Sequence, residues 1–583
     1  MKMKLLSAIM AAVMSVCAIG FTACGGNDSS SGDNTQQNNP GGNGGTSGHK
    51  HSLTLVEEVE ATCTEDGNIA YYTCSGCDKW FEDALGKTEI ANKASVVVAK
   101  GHKLTLVEAK AATCQTGNIA YYICDVCEKW FSDKGGKNEI EDKKSVVLPK
   151  KENHNFADKL CSVCGYHEPT EGLQYELFYG SWVLSGIGTA TDTDIYIADE
   201  YEGNSILSIN NGAFKNCVDI TSVTIPEGLL SVGTGAFYGC SSLKSVKIPS
   251  SIIYLMGYEL FYGCESLTSL TVAEGNANYY SVNNCIINKT SNSLAIGCQS
   301  SVIPDDGSVK SIGSYAFYGC SKLKSLTIPN GITSIGLQAF YACSELSELK
   351  IPDSVTHIDR LVFAGCNNLI EVENGVGYVD KWAISADNTK QEITIREGTK
   401  GVSGYAFTNC QWLTDLTIAD SVEYLCTQSF VNCSRLTDLI IPVGVKSIAR
   451  QAISFCFKLE NVSVAEGNTT YHSAGNCIIE TESKTAVFCL ANSIIPDDGS
   501  VTAIGAYAIE ECTLDGFVIP ATITYIGSHA FDYCTFTDVS YDGTVEQWEA
   551  IEKAEKWDAN TRISSKIYGY IIKCKDGDVT NER

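Results

Sequence analysis

Histidine is scarce in this sequence, with 8 residues in 583. No H-E-x-x-H, G-x-S-x-G, P-loop or strand-following G-x-G-x-x-G occurs, so the common hydrolytic, nucleotide and dinucleotide chemistries have no recognisable site. Positive charge is also short: 42 Lys and Arg stand against 69 Asp and Glu, a net charge of −27. Such a surface repels phosphate backbones, and no basic stripe overrides it, so nucleic acid is excluded as a partner. Charged residues reach only 19% and apolar ones 44%, the balance of a folded chain. The long apolar run from Leu5 to Phe21 is too short for a membrane span. The expectation is a binding protein, not an enzyme.

That first run carries the flanks of an export signal, with Lys2 and Lys4 before it and Phe21-Thr22-Ala23-Cys24 at its end. The last four residues resemble the lipobox of bacterial lipoproteins, which implies a signal peptide over 1–23 and lipidation of Cys24. Several acyl chains would anchor the protein to a membrane. Residues 24–48 are Gly, Asn, Ser and Gln in the main, a flexible linker without a core-forming side chain.

Cysteine is plentiful, with 27 residues, and falls into two repeat systems. The first spans 49–101 and 102–152, where HSLTLVEEVEATCTEDGNIAYYTCSGCDKWFED is echoed by HKLTLVEAKAATCQTGNIAYYICDVCEKWFSD. Each copy offers one His and three Cys: His51, Cys63, Cys74 and Cys77, then His102, Cys114, Cys124 and Cys127. Zinc takes four such ligands in a closed site, two of them from a Cys-x2-Cys turn. Segments of this size have a marginal core and need a staple. Disulfides are the competing staple, but three Cys per copy leave one unpaired and the recurring His without a role. A short element at 153–168 adds His154, Cys161, Cys164 and His167. Ile69 to Tyr72 and Ser95 to Val98 read as short strands, so the copies are expected to be small zinc-ribbon-like β modules holding structural zinc. The modules resemble His/Cys repeats near the N-termini of surface proteins of gut bacteria, a resemblance that implies no activity.

The second system recurs every 23 residues as Cys-x2-Leu-x2-(Leu/Val)-x-Ile-Pro-x2-(Val/Ile)-x2-Ile-x3-Ala-Phe-x2-Cys, ending at Cys217, Cys240, Cys264, Cys320, Cys343, Cys366, Cys410, Cys433, Cys456, Cys512 and Cys534. Apolar spacing of this kind marks a leucine-rich-repeat solenoid, mainly β: a right-handed coil with a parallel sheet. One coil cannot hide its apolar side, so coils stack. The repeated Cys reads as a small buried side chain. The motif resembles the leucine-rich repeats of the BspA type, also called the Treponema pallidum type. The resemblance implies a cell-surface protein that adheres to host matrix, host cells or other bacteria. The asparagine usual after the L-x-L strand is replaced by Ser354, Ser421, Gly331 and Gly444, so no asparagine ladder is expected.

Residues 169–200 alternate apolar and polar side chains and read as an N-terminal cap, the solenoid as 201–540, and 541–583 as a C-terminal cap with a short helix. The beat breaks at about 273–308, 373–400 and 465–500, where hairpins are expected to project from the coils. Cys285 with Cys298 and Cys477 with Cys489 are disulfide candidates there. His357 and His529 fall in the repeat beat and read as surface-turn residues. Outward positions of the repeated strands, Ser325, Thr327, Glu348, Lys350, Asp415, Thr417, Thr437 and Asp438, form the candidate binding face, suited to a host or bacterial surface protein or glycan. The expected role is a membrane-anchored surface lipoprotein that adheres through this face. The alternative is a zinc-handling lipoprotein that uses the solenoid as a docking platform.

Overall fold

The computed structural model describes residues 51–110, 117–148, 156–157, 160–161, 167–255, 257–564 and 567–582. The chain divides into two compact units, Met1–Asn153 and His154–Arg583.

In the first unit the two copies fold alike. Strand Leu53–Val56 runs antiparallel to Tyr71–Cys74, which pairs in turn with Trp80–Phe81. Leu104–Val107, Tyr121–Cys124 and Trp130–Phe131 repeat this arrangement. A second ribbon joins Gly67–Asn68 to Val97–Val98, and Gly117–Asn118 to Val147–Leu148. The strand expected at Ile69 to Tyr72 forms two residues later, at Tyr71–Cys74, and the one expected at Ser95 to Val98 is reduced to Val97–Val98. Ser95 and Val96 lie in a 3-10 turn, because the Asn92 side chain accepts from the Ala94 N–H and caps that turn. Gly67 is obligatory, since a Cβ there would sit 2.2 Å from the Val59 carbonyl oxygen. Cys74, Phe81, Ile90 and Val96 are the buried apolar side chains of the first copy. That is a small core for some fifty residues.

The second unit is the expected solenoid. Each regular coil has three sides, and each side is bonded to the next coil. The L-x-L side gives strands such as Ser222–Thr224, Ser245–Ile248 and Ser269–Val272, parallel and in register through Val223, Val246 and Leu270. A second side gives two-residue strands, as at Ser311–Ile312, Ser334–Ile335 and His357–Ile358. On the third side Phe317 N–H donates to Ala339 O at 2.7 Å and Phe340 N–H to Val362 O at 3.0 Å. In-register stacking turns the repeat into ladders inside the coil. Phe317, Phe340 and Phe363 lie stacked at 5.2 and 5.6 Å, and all three are buried. His357 is therefore a half-buried strand residue, not a turn, and burial pushes its pKa down. His529 stacks on Tyr507 at 4.9 Å.

Serine takes over at intervals where asparagine is missing. Ser354 Oγ accepts from Gly331 N at 3.0 Å and donates to Ile332 O at 2.8 Å, both in the preceding coil. Ser251 and Ser421 make the same two bonds to the coils before them. Ser354→Ala leaves both backbone groups short of a partner. It is expected to lower stability by about 1–2 kcal/mol, read as a lower urea midpoint.

The three breaks do not project as hairpins; this expectation is corrected. Tyr279–Val282, Cys285–Asn288 and Ser293–Ile296 form an antiparallel triplet, and its last strand pairs in parallel with Ser311–Ile312 of the next coil. The inserts at Glu371–Ala386 and Tyr471–Cys489 join the same side of the solenoid in the same way. Their apolar strands explain why: Ile286, Ile287, Ile478 and Ile479 are fully buried, and projection would leave them in water. Asn276 fastens the first insert. Buried, it donates to Pro249 O and Ile252 O and accepts from Asn278 and Tyr279 N–H. Asn468 makes the equivalent four bonds in the last insert.

The ends are closed. The hairpin Gln174–Phe178 and Ser181–Gly186 pairs with Asn204–Ile209 of the first coil. At the other end Trp548, on helix Val545–Ala550, packs with Trp557 and Tyr541 against the last coil.

Candidate metal centres and ligand face

The His/Cys side chains of the first unit gather in two clusters, divided differently from the sequence expectation. His51, Cys74 and Cys77 form one; Cys63, His102, Cys124 and Cys127 form the other. Cys63 is thus corrected from its own copy's set to that of the next copy. The donor atoms of each cluster lie within 4.8 Å of one another. His51 Nδ1 is 3.4 Å from both Cys74 Sγ and Cys77 Sγ, Cys127 Sγ is 3.5 Å from His102 Nδ1, and Cys63 Sγ is 3.4 Å from Cys124 Sγ. Tetrahedral zinc, with Zn–S near 2.3 Å and Zn–N near 2.0–2.1 Å, puts N and S about 3.6 Å apart and two S about 3.8 Å apart. Three thiols and one imidazole at these distances fit a structural zinc ion.

Cys124 also favours thiolate. The N–H groups of Cys127 and Val126, with His102 and Cys63, outweigh burial and lower the Cys124 pKa. The contact with Cys124 raises that of Cys63. Phe131 and Phe81 hold the imidazoles from behind, with ring centroids 4.3 Å from His102 and 4.6 Å from His51. Cys24, Cys114, His154 and Cys164 lie outside the described residues. Cys161 is buried on a short ribbon, and His167 stacks on Tyr196 in the second unit.

The solenoid cysteines have a role beyond filling space. Cys240, Cys343 and Cys433 each aim Sγ at the carbonyl oxygen of a Phe in the preceding coil, at 3.0, 3.2 and 3.3 Å. Burial pushes the Cys240 thiol up to about 12, so it persists as a donor and is a poor nucleophile. Cys477 and Cys489 are bridged, whereas Cys285 and Cys298 are both free. One position decides the difference. Cys477 stands directly opposite Cys489, while the residue matching Cys489 in the earlier insert is Gly297, with Cys298 one place on and turned to the other face.

The eight residues expected on the binding face are all exposed. Ser325 and Thr327 stand beside Glu348 and Lys350 in register. Thr437 Oγ1 and Asn461 Nδ2 both donate to the Asp438 carboxylate, at 2.6 and 2.9 Å. Sequence reasoning missed a neighbouring aromatic. Trp412 is 49% exposed, with the Arg435 guanidinium 4.1 Å from its ring centroid, and Ile440 is 59% exposed beyond them. The signal was present: Trp412 fills the Cys-x-x-Leu slot that other coils give to Lys322, Glu345 or Lys458. Farther along, a cavity of about 310 Å³ lies between Ile453–Leu459, Phe488–Ala491 and Glu510–Thr513. Burial raises Glu510 to about 8 and Glu511 to about 7 there.

No curated protein matches the chain. Three solved structures are similar in part. A leucine-rich repeat protein from Bacteroides ovatus is 18% identical, covering 68% of this chain and 99% of its own, with a TM-score of 0.27. The pneumococcal vaccine antigen PcpA is 16% identical over 63% and 73%, at 0.27. A leucine-rich cell surface protein from Faecalibacterium prausnitzii is 18% identical over 66% and 97%, at 0.20. The profile of the BspA type leucine-rich repeat region matches residues 203–303, 286–386, 370–477 and 478–550. Those residues are the three-sided coils and their embedded inserts, and make up more than half of the sequence: the chain belongs to the BspA-type leucine-rich-repeat family.

Proposed function

We propose that the protein is an exported surface lipoprotein, anchored through Cys24, whose solenoid binds a protein or glycan on a host or neighbouring cell. The observation that carries this reading is the exposed strand face, with Ile440 on it and the Trp412–Arg435 pair in the turns that lead into its strands. A broad face of parallel strands bordered by an exposed aromatic and an arginine has the composition of a binding hot spot. The His/Cys modules, in this reading, hold structural zinc and serve with the linker as a spacer between anchor and solenoid. Family membership and the lipobox-like Phe21-Thr22-Ala23-Cys24 support surface display.

The test is a binding screen of the unlipidated chain from residue 25 onward against matrix proteins, mucins and glycans. A W412A/R435E variant is expected to weaken the ligand found by at least tenfold, about 1.4 kcal/mol, with its melting curve unchanged. Absence of any reproducible ligand, or a ligand indifferent to that variant, overturns the proposal.

A further inference from the structure

We infer that the metal centre of the first unit is a clasp between successive modules, with Cys63 of one module completing the site of His102, Cys124 and Cys127 in the next. The inference rests on the reading of the modules as zinc-holding and goes beyond it, because it changes what the metal does.

Each module places its potential ligands at opposite ends. His51 precedes the first strand, and the Cys74–Cys77 knuckle follows the strand paired with it, Tyr71–Cys74. Both therefore sit where the chain enters. Cys63 instead lies in the loop before Gly67–Asn68, which pairs with the exit strand Val97–Val98. The linker after that strand passes beside the Cys63 loop and is bonded to it twice. Lys100 N–H donates to Asp66 Oδ1 at 2.6 Å, and Gly101 N–H to Thr62 O at 3.3 Å. The next residue is His102. The exit of the first module thus delivers Cys63 to the entrance of the second, and Cys63 Sγ meets Cys124 Sγ at 3.4 Å.

A site made wholly within one module would staple that module alone. A shared site stiffens the joint as well: zinc fixes the Ala99–Lys103 crossing, and its loss frees two bodies joined by a few exposed residues. Zinc level then sets the rigidity of the spacer that the two modules form.

The experiment uses the full chain without its lipid. Zinc affinity is measured in C74S/C77S and C124S/C127S backgrounds, each with and without C63S, so that Cys161 and Cys164 are common to all four proteins. The clasp predicts that C63S weakens zinc binding by at least tenfold in the first background and has no effect in the second. The reverse pattern overturns the clasp while leaving structural zinc intact. A parent chain that takes up no zinc, or one that carries a Cys63–Cys124 disulfide, overturns the metal reading and the clasp together. Because a knuckle variant can unfold its own module, trypsin cleavage is followed in the zinc-loaded C63S protein, where both knuckles survive. First cleavage at Lys100 and Lys103 with both module bodies intact supports the clasp. First cleavage at Lys79 or Lys87, inside the first module, rejects it.

Discussion

Removing metal with a strong chelator is expected to unfold residues 51–148 while residues 167–582 keep their melting transition. The modules have little else to hold them. Each buries only a handful of apolar side chains, Phe81 and Val96 in one, Phe131 and Val146 in the other. Their remaining stabilisation is local: Asp83 and Asp133 accept turn N–H groups, Lys79–Glu89 and Lys129–Glu139 pair at the surface, and Trp80 and Trp130 stack on Tyr71 and Tyr121. Exposed ion pairs contribute at most about 1 kcal/mol each. Structural zinc, by contrast, supplies about 10–16 kcal/mol of apparent binding energy in zinc-finger peptides, and that energy is folding energy. Limited proteolysis and near-ultraviolet circular dichroism before and after chelation separate the outcomes. Modules that release zinc yet stay folded would point to metal handling instead.

The solenoid was legible in the sequence because it is written many times over. A 23-residue beat of Leu, Ile, Phe and Cys fixes which side chains face inward, and stacking follows from the need to bury them. The inserts were legible as near copies but not in their placement. Whether Cys285–Asn288 projects or docks depends on what lies beside it after folding, and only the full burial of Ile286 and Ile287 shows that it docks. The disulfide pair was within reach of a closer reading. Cys477 and Cys489 are separated by 12, Cys285 and Cys298 by one more, and a one-residue slip in a strand changes the face. Cys63 was the hardest. Spacing shows that it belongs to a His/Cys set, but two knuckles offering the same ligand types compete for it. The choice is made by the path of the linker at Lys100 and Gly101, which leaves no mark in the ligand pattern.

Glu510→Gln is expected to stabilise the protein at neutral pH, an unusual direction for a substitution made inside a fold. In most coils the segment after Ala-Phe presents Tyr, Gly or Asn to the third side; here the equivalent stretch is Ala508-Ile509-Glu510-Glu511-Cys512. Glu510 faces the cavity beside Phe455 and Phe457. Oε1 accepts from Gln451 Nε2 at 2.9 Å, while Oε2 is buried without a partner among the described residues. Burial first, then the charges of Glu511 and Asp532, raise its pKa from 4.5 to about 8. For an acid raised on folding, the folded state holds a proton that the unfolded chain has already released. Stability is therefore full below pH 4.5, falls as the pH rises towards 8, and levels off above it. At pH 7 the unfolded chain is favoured by some 2.5 pH units of this linkage, about 3 kcal/mol. A glutamine keeps the acceptor for Gln451 and never ionises, so the variant should unfold at a higher urea concentration at pH 7 and at nearly the wild-type concentration at pH 4. An equal effect at both values would mean that the carboxylate is solvated in the native state, and that the gap between Phe455 and Glu510 is open to water, not closed by the coils around it.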